Sequence, residues 1–139
     1  MVEHWILPCN IRIYDVVEHF KRNKRIVWIN SFSMKTGDIA YLYVASPFSE
    51  IKYECVVLND QVDEVLLKEN PYVIPKKQIN NFYIKKIKYV ELELVSIFPE
   101  GTFTLAKLRE HGLGQVQIQA RADRDLKSYL TEIKALIST

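Results

Sequence analysis

The stretch Ile26-Val27-Trp28-Ile29-Asn30-Ser31-Phe32-Ser33-Met34-Lys35-Thr36-Gly37-Asp38-Ile39-Ala40-Tyr41-Leu42-Tyr43-Val44 decides the fold. Ile26 to Ile29 is apolar and rich in β-branched and aromatic side chains, which reads as a strand. Met34-Lys35-Thr36-Gly37-Asp38 reads as a turn that opens a strand, because Gly-Asp punctuates an otherwise apolar context. Ile39 to Val44 is apolar on both parities. A strand of that kind is buried on both faces and lies at the centre of a sheet.

Working towards the N-terminus, Ile13, Val16, Val17 and Phe20 recur at helical spacing, with Asp15, Glu18, Lys21 and Arg22 on the other side. That pattern predicts a short amphipathic helix. Before it, Trp5-Ile6-Leu7, closed by Pro8, reads as a first strand. Towards the C-terminus, Ser46 to Ser49 is a loop, and Ile51, Tyr53, Cys55 and Val57 alternate as a half-exposed strand. Val62 to Glu69 is expected to form helical turns, and Asn70 to Gln78 a loop. Phe82 to Val95 is β-rich, and its apolar parity switches between Tyr89 and Val90. Such a switch predicts a bulge or a bend at a barrel corner. Thr104 to His111 reads as a helix stopped by Gly112. Asp123 is positioned to cap a last helix that carries Leu126, Leu130, Ile133, Leu136 and Ile137. Strands in the middle and helices at the ends predict an α+β fold with a curled, partly closed sheet.

The 139 residues suit one domain, residues 1–139. Hydrophobic residues at 48% and charged residues at 26% exclude a disordered chain. No apolar run approaches the roughly 20 residues that span a bilayer, so no membrane partner is expected. Met1-Val2-Glu3-His4 lacks a basic leader, and a cytoplasmic location is expected. Cys9 and Cys55 are too far apart and too few for a disulfide scaffold or zinc site, and read as buried thiols. Net charge is only +2. The cations are clustered, however: Lys21, Arg22, Lys24 and Arg25 in one group, and Lys76, Lys77, Lys85, Lys86 and Lys88 in another. Either group can solvate a face or attract phosphates.

Catalytic signatures are missing from the sequence. His4, His19 and His111 lie in unrelated segments without metal-ligand spacing and read as surface or helix-end residues. Gly112-Leu113-Gly114 lacks the flanking strand and third glycine of a dinucleotide fingerprint. Glu91 and Glu93 share one strand face and read as solvated. The reading is therefore a non-catalytic protein with no metal and no cofactor. Trp28 is more informative, since it is followed closely by Asn30 and Ser31. A flat ring can stack on a base while amides and hydroxyls read its polar edge. The plainer alternative is that Trp28 packs in the core and Asn30 forms the following turn.

The run from Trp28 to Tyr43, an aromatic strand leading into a Lys-x-Gly-Asp turn and a Tyr-ending strand, resembles the EVE domain of the PUA-like superfamily. Trp5-Ile6-Leu7-Pro8-Cys9-Asn10 and the helix after it fit the family's first strand and helix. Val116-Gln117-Ile118-Gln119-Ala120-Arg121 is similar to its Val-Gln-Gly-Pro segment, with Ala120-Arg121 in place of Gly-Pro. The segment after the Trp is also shorter than in the family. The resemblance implies a PUA-like, strongly bent, five- or six-stranded, partly closed β-barrel flanked by helices. By analogy with the related YTH domains it implies a pocket for a modified base in nucleic acid, DNA or RNA. Trp28 would be a wall of an aromatic cage, and Asn30 and Ser31 would contact the base edge. Asn10 would form the floor, and Tyr43 and Ser46 another side. Tyr53, Phe82 and Tyr83 are candidates for a second aromatic. Lys85, Lys86, Lys88 and Arg121 would contact the backbone.

Two other classes of function fit the same scaffold, because a fold does not fix a function. One is a small-molecule-binding protein or enzyme, which calls for two close titratable groups in a pocket. The other is an interaction subunit, which calls for a flat apolar patch.

Overall fold

The computed structural model describes residues 2–30, 33–63, 88–114, 116 and 119–137. Six strands and three helices follow in the order β1 (His4–Cys9), α1 (Val16–Arg22), β2 (Arg25–Ile29), β3 (Ile39–Val44), β4 (Glu50–Asn59), β5 (Tyr89–Ile97), α2 (Leu105–Arg109), β6 (Ala120–Arg121) and α3 (Arg124–Ile137). They form one six-stranded sheet in the order β2-β5-β4-β3-β1-β6. The β1–β3 pair is parallel and every other pair is antiparallel. This is the α+β fold expected from the sequence.

The sheet is not closed by a ladder, because β2 and β6 are its outer strands. A side chain spans the seam between them: Gln119 Nε2 donates to the carbonyl of Ile29. Curvature comes from extra residues. Register shifts fall between Leu42 and Tyr43 where β3 meets β4, and between Glu54 and Cys55 and between Val57 and Asn59 where β4 meets β5. Each bulge sharpens the local twist. No shift falls at the parity switch read between Tyr89 and Val90: β5 pairs with β2 in unbroken register from Tyr89 to Glu93, and both residues of the switch are buried. The irregularities of the β4–β5 ladder lie farther along β5, beside Glu91–Leu92 and Leu94–Ser96.

Two apolar clusters hold the layers together. On the inner face, Trp5, Leu7, Ala40, Leu42, Val44, Cys55, Val57, Val90 and Leu92 pack with Val16 and Phe20 of α1. On the outer face, Ile6, Tyr41, Tyr43 and Ile51 pack with Leu108 of α2 and Leu126 and Leu130 of α3. The alternation of β3 between these clusters makes it the doubly buried central strand. Both thiols are buried, and burial pushes Cys9 and Cys55 up to about 12.

The helix ends follow the side-chain chemistry. Asp123 Oδ1 accepts the amide of Leu126, which starts α3. Thr104 caps α2, and Gly112 ends that region at φ 94°. The first helix starts later than the spacing from Ile13 suggests. Asp15 Oδ1 accepts the Glu18 amide and sets the start at Val16, which leaves Ile13 exposed in a turn. The expected elements over 64–87 lie outside the described residues. Among the described residues, no helix is long and apolar enough to cross a membrane.

Candidate functional site

The turn before β3 is tied down by one carboxylate. Asp38 is only 5% exposed. Its Oδ1 accepts the amide of Glu3, and its Oδ2 accepts Trp5 Nε1 at 3.0 Å and the amide of Lys35 at 3.0 Å. Gly37 turns the chain at φ 97°, a region open to glycine without strain. Thr36 and Asp60 exchange two further hydrogen bonds across to the end of β4. The Lys-x-Gly-Asp sequence thus acts as a joint between β1, β3 and β4.

Trp28 lies in β2, half-buried, against the inner cluster. The next inward position, Ile26, is completely buried. The strand therefore runs outward from the core, and Trp28 stands at its end beside the seam that Gln119 spans. Asn30 follows as a clamp rather than a free amide. Its Nδ2 donates to the carbonyl of Met34 at 3.1 Å, and its Oδ1 accepts the Met34 amide at 3.1 Å. Asn30 and Met34 are therefore held together just after Trp28 in the chain. Ser31 lies outside the described residues.

Strand register divides the remaining candidates between two ends of the sheet. Trp28 pairs with Val90, and the β5–β4–β3–β1 registers carry that end to the starts of β3 and β1. Asn10 follows the far end of β1, and Tyr43 and Ser46 lie at and beyond the far end of β3. Tyr43 also belongs to the outer cluster, on the opposite face from Trp28. Asn10 Oδ1 accepts the amide of Arg12, which shapes the turn into α1. Ser46 is exposed before a cis peptide bond to Pro47. One pocket made of Trp28, Asn10, Tyr43 and Ser46 is therefore not assembled. The reason is geometric: the loops after β1 and β3 and the loop after β2 leave opposite ends of the sheet. Tyr53 does share the inner cluster with Trp28, packed on Phe20 at 4.8 Å between ring centroids. Phe82 and Tyr83 lie outside the described residues.

Among the described residues, Lys88 and Arg121 lie towards the end of the sheet where Trp28 stands. Lys88 is exposed and its carbonyl accepts the amide of Asn30. Arg121, opposite Trp5 in the β1–β6 pair, lies over the Trp5 ring at 5.3 Å from its centroid. Its Nε is 3.5 Å from a Glu3 carboxylate oxygen. Ring and carboxylate hold the guanidinium at the side of the sheet where Trp28 ends. Sequence reading did not find this support. The signal available was the pairing of an Arg-bearing last strand with a Trp-bearing first one. Lys85 and Lys86 lie outside the described residues. The group near α1 is exposed and partly satisfied, Lys21 by Glu18 and Arg25 by Glu93.

Among the described residues, a group of four titratable side chains lies elsewhere, on the outer face. His4, Tyr41, Glu54 and Lys134 are joined there by hydrogen bonds. The surface reading of His4 from sequence is corrected by this placement, since the ring is partly buried against Tyr41. His111 is stacked on Tyr129 with centroids 3.8 Å apart. Among the described residues, no group of three His, Cys, Asp or Glu side chains is arranged to hold a metal ion.

No family model and no curated protein matches the chain. Solved structures match it in fold. The chain is similar to ASCH from Zymomonas mobilis, at 10% identity over 94% of both chains with a TM-score of 0.62. It is similar to a hypothetical protein from Leishmania major, at 14% identity over 100% of this chain and 98% of that one, TM-score 0.62. It is also similar to human THYN1, solved in complex with 5-methylcytosine-containing DNA, at 14% identity over 95% and 97% of the two chains, TM-score 0.60.

Proposed function

We propose that this PUA-like domain is a non-catalytic nucleic-acid-binding module that takes a modified base against Trp28. The observation that carries the reading is the half-buried indole at the end of β2, beside the Gln119–Ile29 hydrogen bond and the paired Asn30–Met34 hydrogen bonds. Trp28 is half-buried, whereas Trp5 is sealed in the core. Base stacking on such a ring is worth about 1–3 kcal/mol. Arg121 and Lys88, with Lys85 and Lys86 close to Lys88 in sequence, supply phosphate contacts. Further support comes from THYN1, which has this fold and was solved with methylated DNA. For the non-catalytic part, the support is that the hydroxyl at the centre of the His4, Tyr41, Glu54 and Lys134 group belongs to a Tyr41 with no exposed surface.

The test is a titration of paired oligonucleotides, one methylated at cytosine and one not, against wild type and Trp28→Ala, with thermal unfolding alongside. The expected result is that the variant stays folded and loses its preference for the methylated strand. A half-buried ring leaves a smaller cavity than the roughly 3–5 kcal/mol loss typical of a fully buried aromatic. A variant that unfolds early yet still discriminates when folded would make Trp28 a core residue and sink the proposal.

A further inference from the structure

The hydroxyl of Tyr41 joins three elements on the outer face of the sheet. Lys134 Nζ of α3 lies 2.6 Å from it, and His4 Nδ1 of β1 lies 3.1 Å from it. Lys134 also reaches Glu54 Oε2 of β4 at 3.3 Å. An ammonium has protons to give and no lone pair, so Lys134 donates to the Tyr41 oxygen. The Tyr41 proton then has one acceptor among the described residues, His4 Nδ1. That requires a neutral imidazole with its own proton on Nε2.

We propose that His4 is a proton-operated latch on α3: the neutral ring closes the chain His4–Tyr41–Lys134, and the protonated ring opens it and loosens the C-terminal half of the helix. A proton on Nδ1 turns the acceptor into a donor. The buried Tyr41 proton then loses its partner, and an unsatisfied buried donor is costly. Two cations also face one hydroxyl, leaving Glu54 as the counter-charge. Past Lys134 the side chains of Leu136 and Ile137 are exposed, so they add little apolar burial to that end of the helix.

The surroundings favour the neutral ring. Burial acts most strongly, followed by Lys127 and Lys134 of α3; Glu3, next to His4 in the chain, and Asp38, at the start of β3, oppose them. Arg121 of β6 is held nearby by Glu3. The balance moves His4 below its ordinary value of 6.5. A histidine lowered in the fold contributes stability that is complete above about 6.5 and is lost as pH falls towards the lowered native value.

The test is amide hydrogen exchange by NMR at pH 7.5 and pH 5, comparing protection in the second half of α3 with protection in β4 of the same sample. In wild type the ratio should fall on the order of tenfold at the lower pH. His4→Asn offers an oxygen acceptor that does not titrate, and its ratio should stay constant. Tyr41→Phe, which keeps the ring and removes the hydroxyl, should also lose the pH dependence. An unchanged ratio in wild type, or an equal fall in His4→Asn, would overturn the latch. Should both variants fail to fold, the wild-type imidazole nitrogen shifts decide. They must titrate over the same pH range as the loss of protection, and separate midpoints overturn the proposal.

Discussion

Asp38 shows how much one side chain can organise. Three donors from two segments converge on its carboxylate, and one of them, Trp5 Nε1, belongs to a ring 3% exposed. Asp38→Ala strands that indole N–H in an apolar layer and frees the turn at Lys35. An unmet buried donor costs about 1–3 kcal/mol, more when the lost acceptor was charged. Urea unfolding of the variant should therefore give a stability lower by about 3 kcal/mol, with the slope against urea unchanged. A loss below about 1 kcal/mol would mean that water replaces the carboxylate. The residues around Gly37 announce a turn in sequence. That the acid of the turn reaches back to the first strand is a tertiary fact, and alternation patterns do not carry it.

Elements with strong local signals were legible in sequence, and their ends were legible where a side chain sets them. Asp123 starts α3 as expected, while Asp15 overrides the apolar spacing and starts α1 at Val16. The doubly apolar run of β3 correctly announced a central strand. Of the residues read from sequence as one pocket, Trp28 stands at one end of the sheet. Asn10, Tyr43 and Ser46 fail to join it because strand order and direction, which alternation does not encode, decide which loops share an end. The seam between β2 and β6 was equally hidden, since the amide that bridges it, Gln119, lies 90 positions from its acceptor. Gln119→Ala should cost about 1 kcal/mol through the lost hydrogen bond and let β2 swing from β6. Because Trp5 is sealed and Trp28 is not, the opening should appear as a red shift of indole emission. Unchanged emission would mean that the seam is held by other contacts.

At the scale of the whole molecule, a net charge of +2 gives little long-range attraction, so nucleic-acid affinity must come from a few placed cations. Binding should weaken linearly in logarithm as salt rises, and Arg121→Gln should reduce that slope by about one counterion. The loss should be similar for methylated and unmethylated strands, because phosphate contacts carry no sequence information. A variant with an unaltered slope would remove Arg121 from the interface. The sheet order has a consequence for how the protein is made. β1 emerges first but lies between β3 and β6, and it receives the amide of Ala122 at the His4 carbonyl. At about 5–20 residues per second, the ribosome needs roughly 6–24 s to pass from His4 to Arg121. For that interval Trp5, Ile6 and Leu7 form an apolar strand without its last neighbour, an edge open to other chains until Arg121 has emerged.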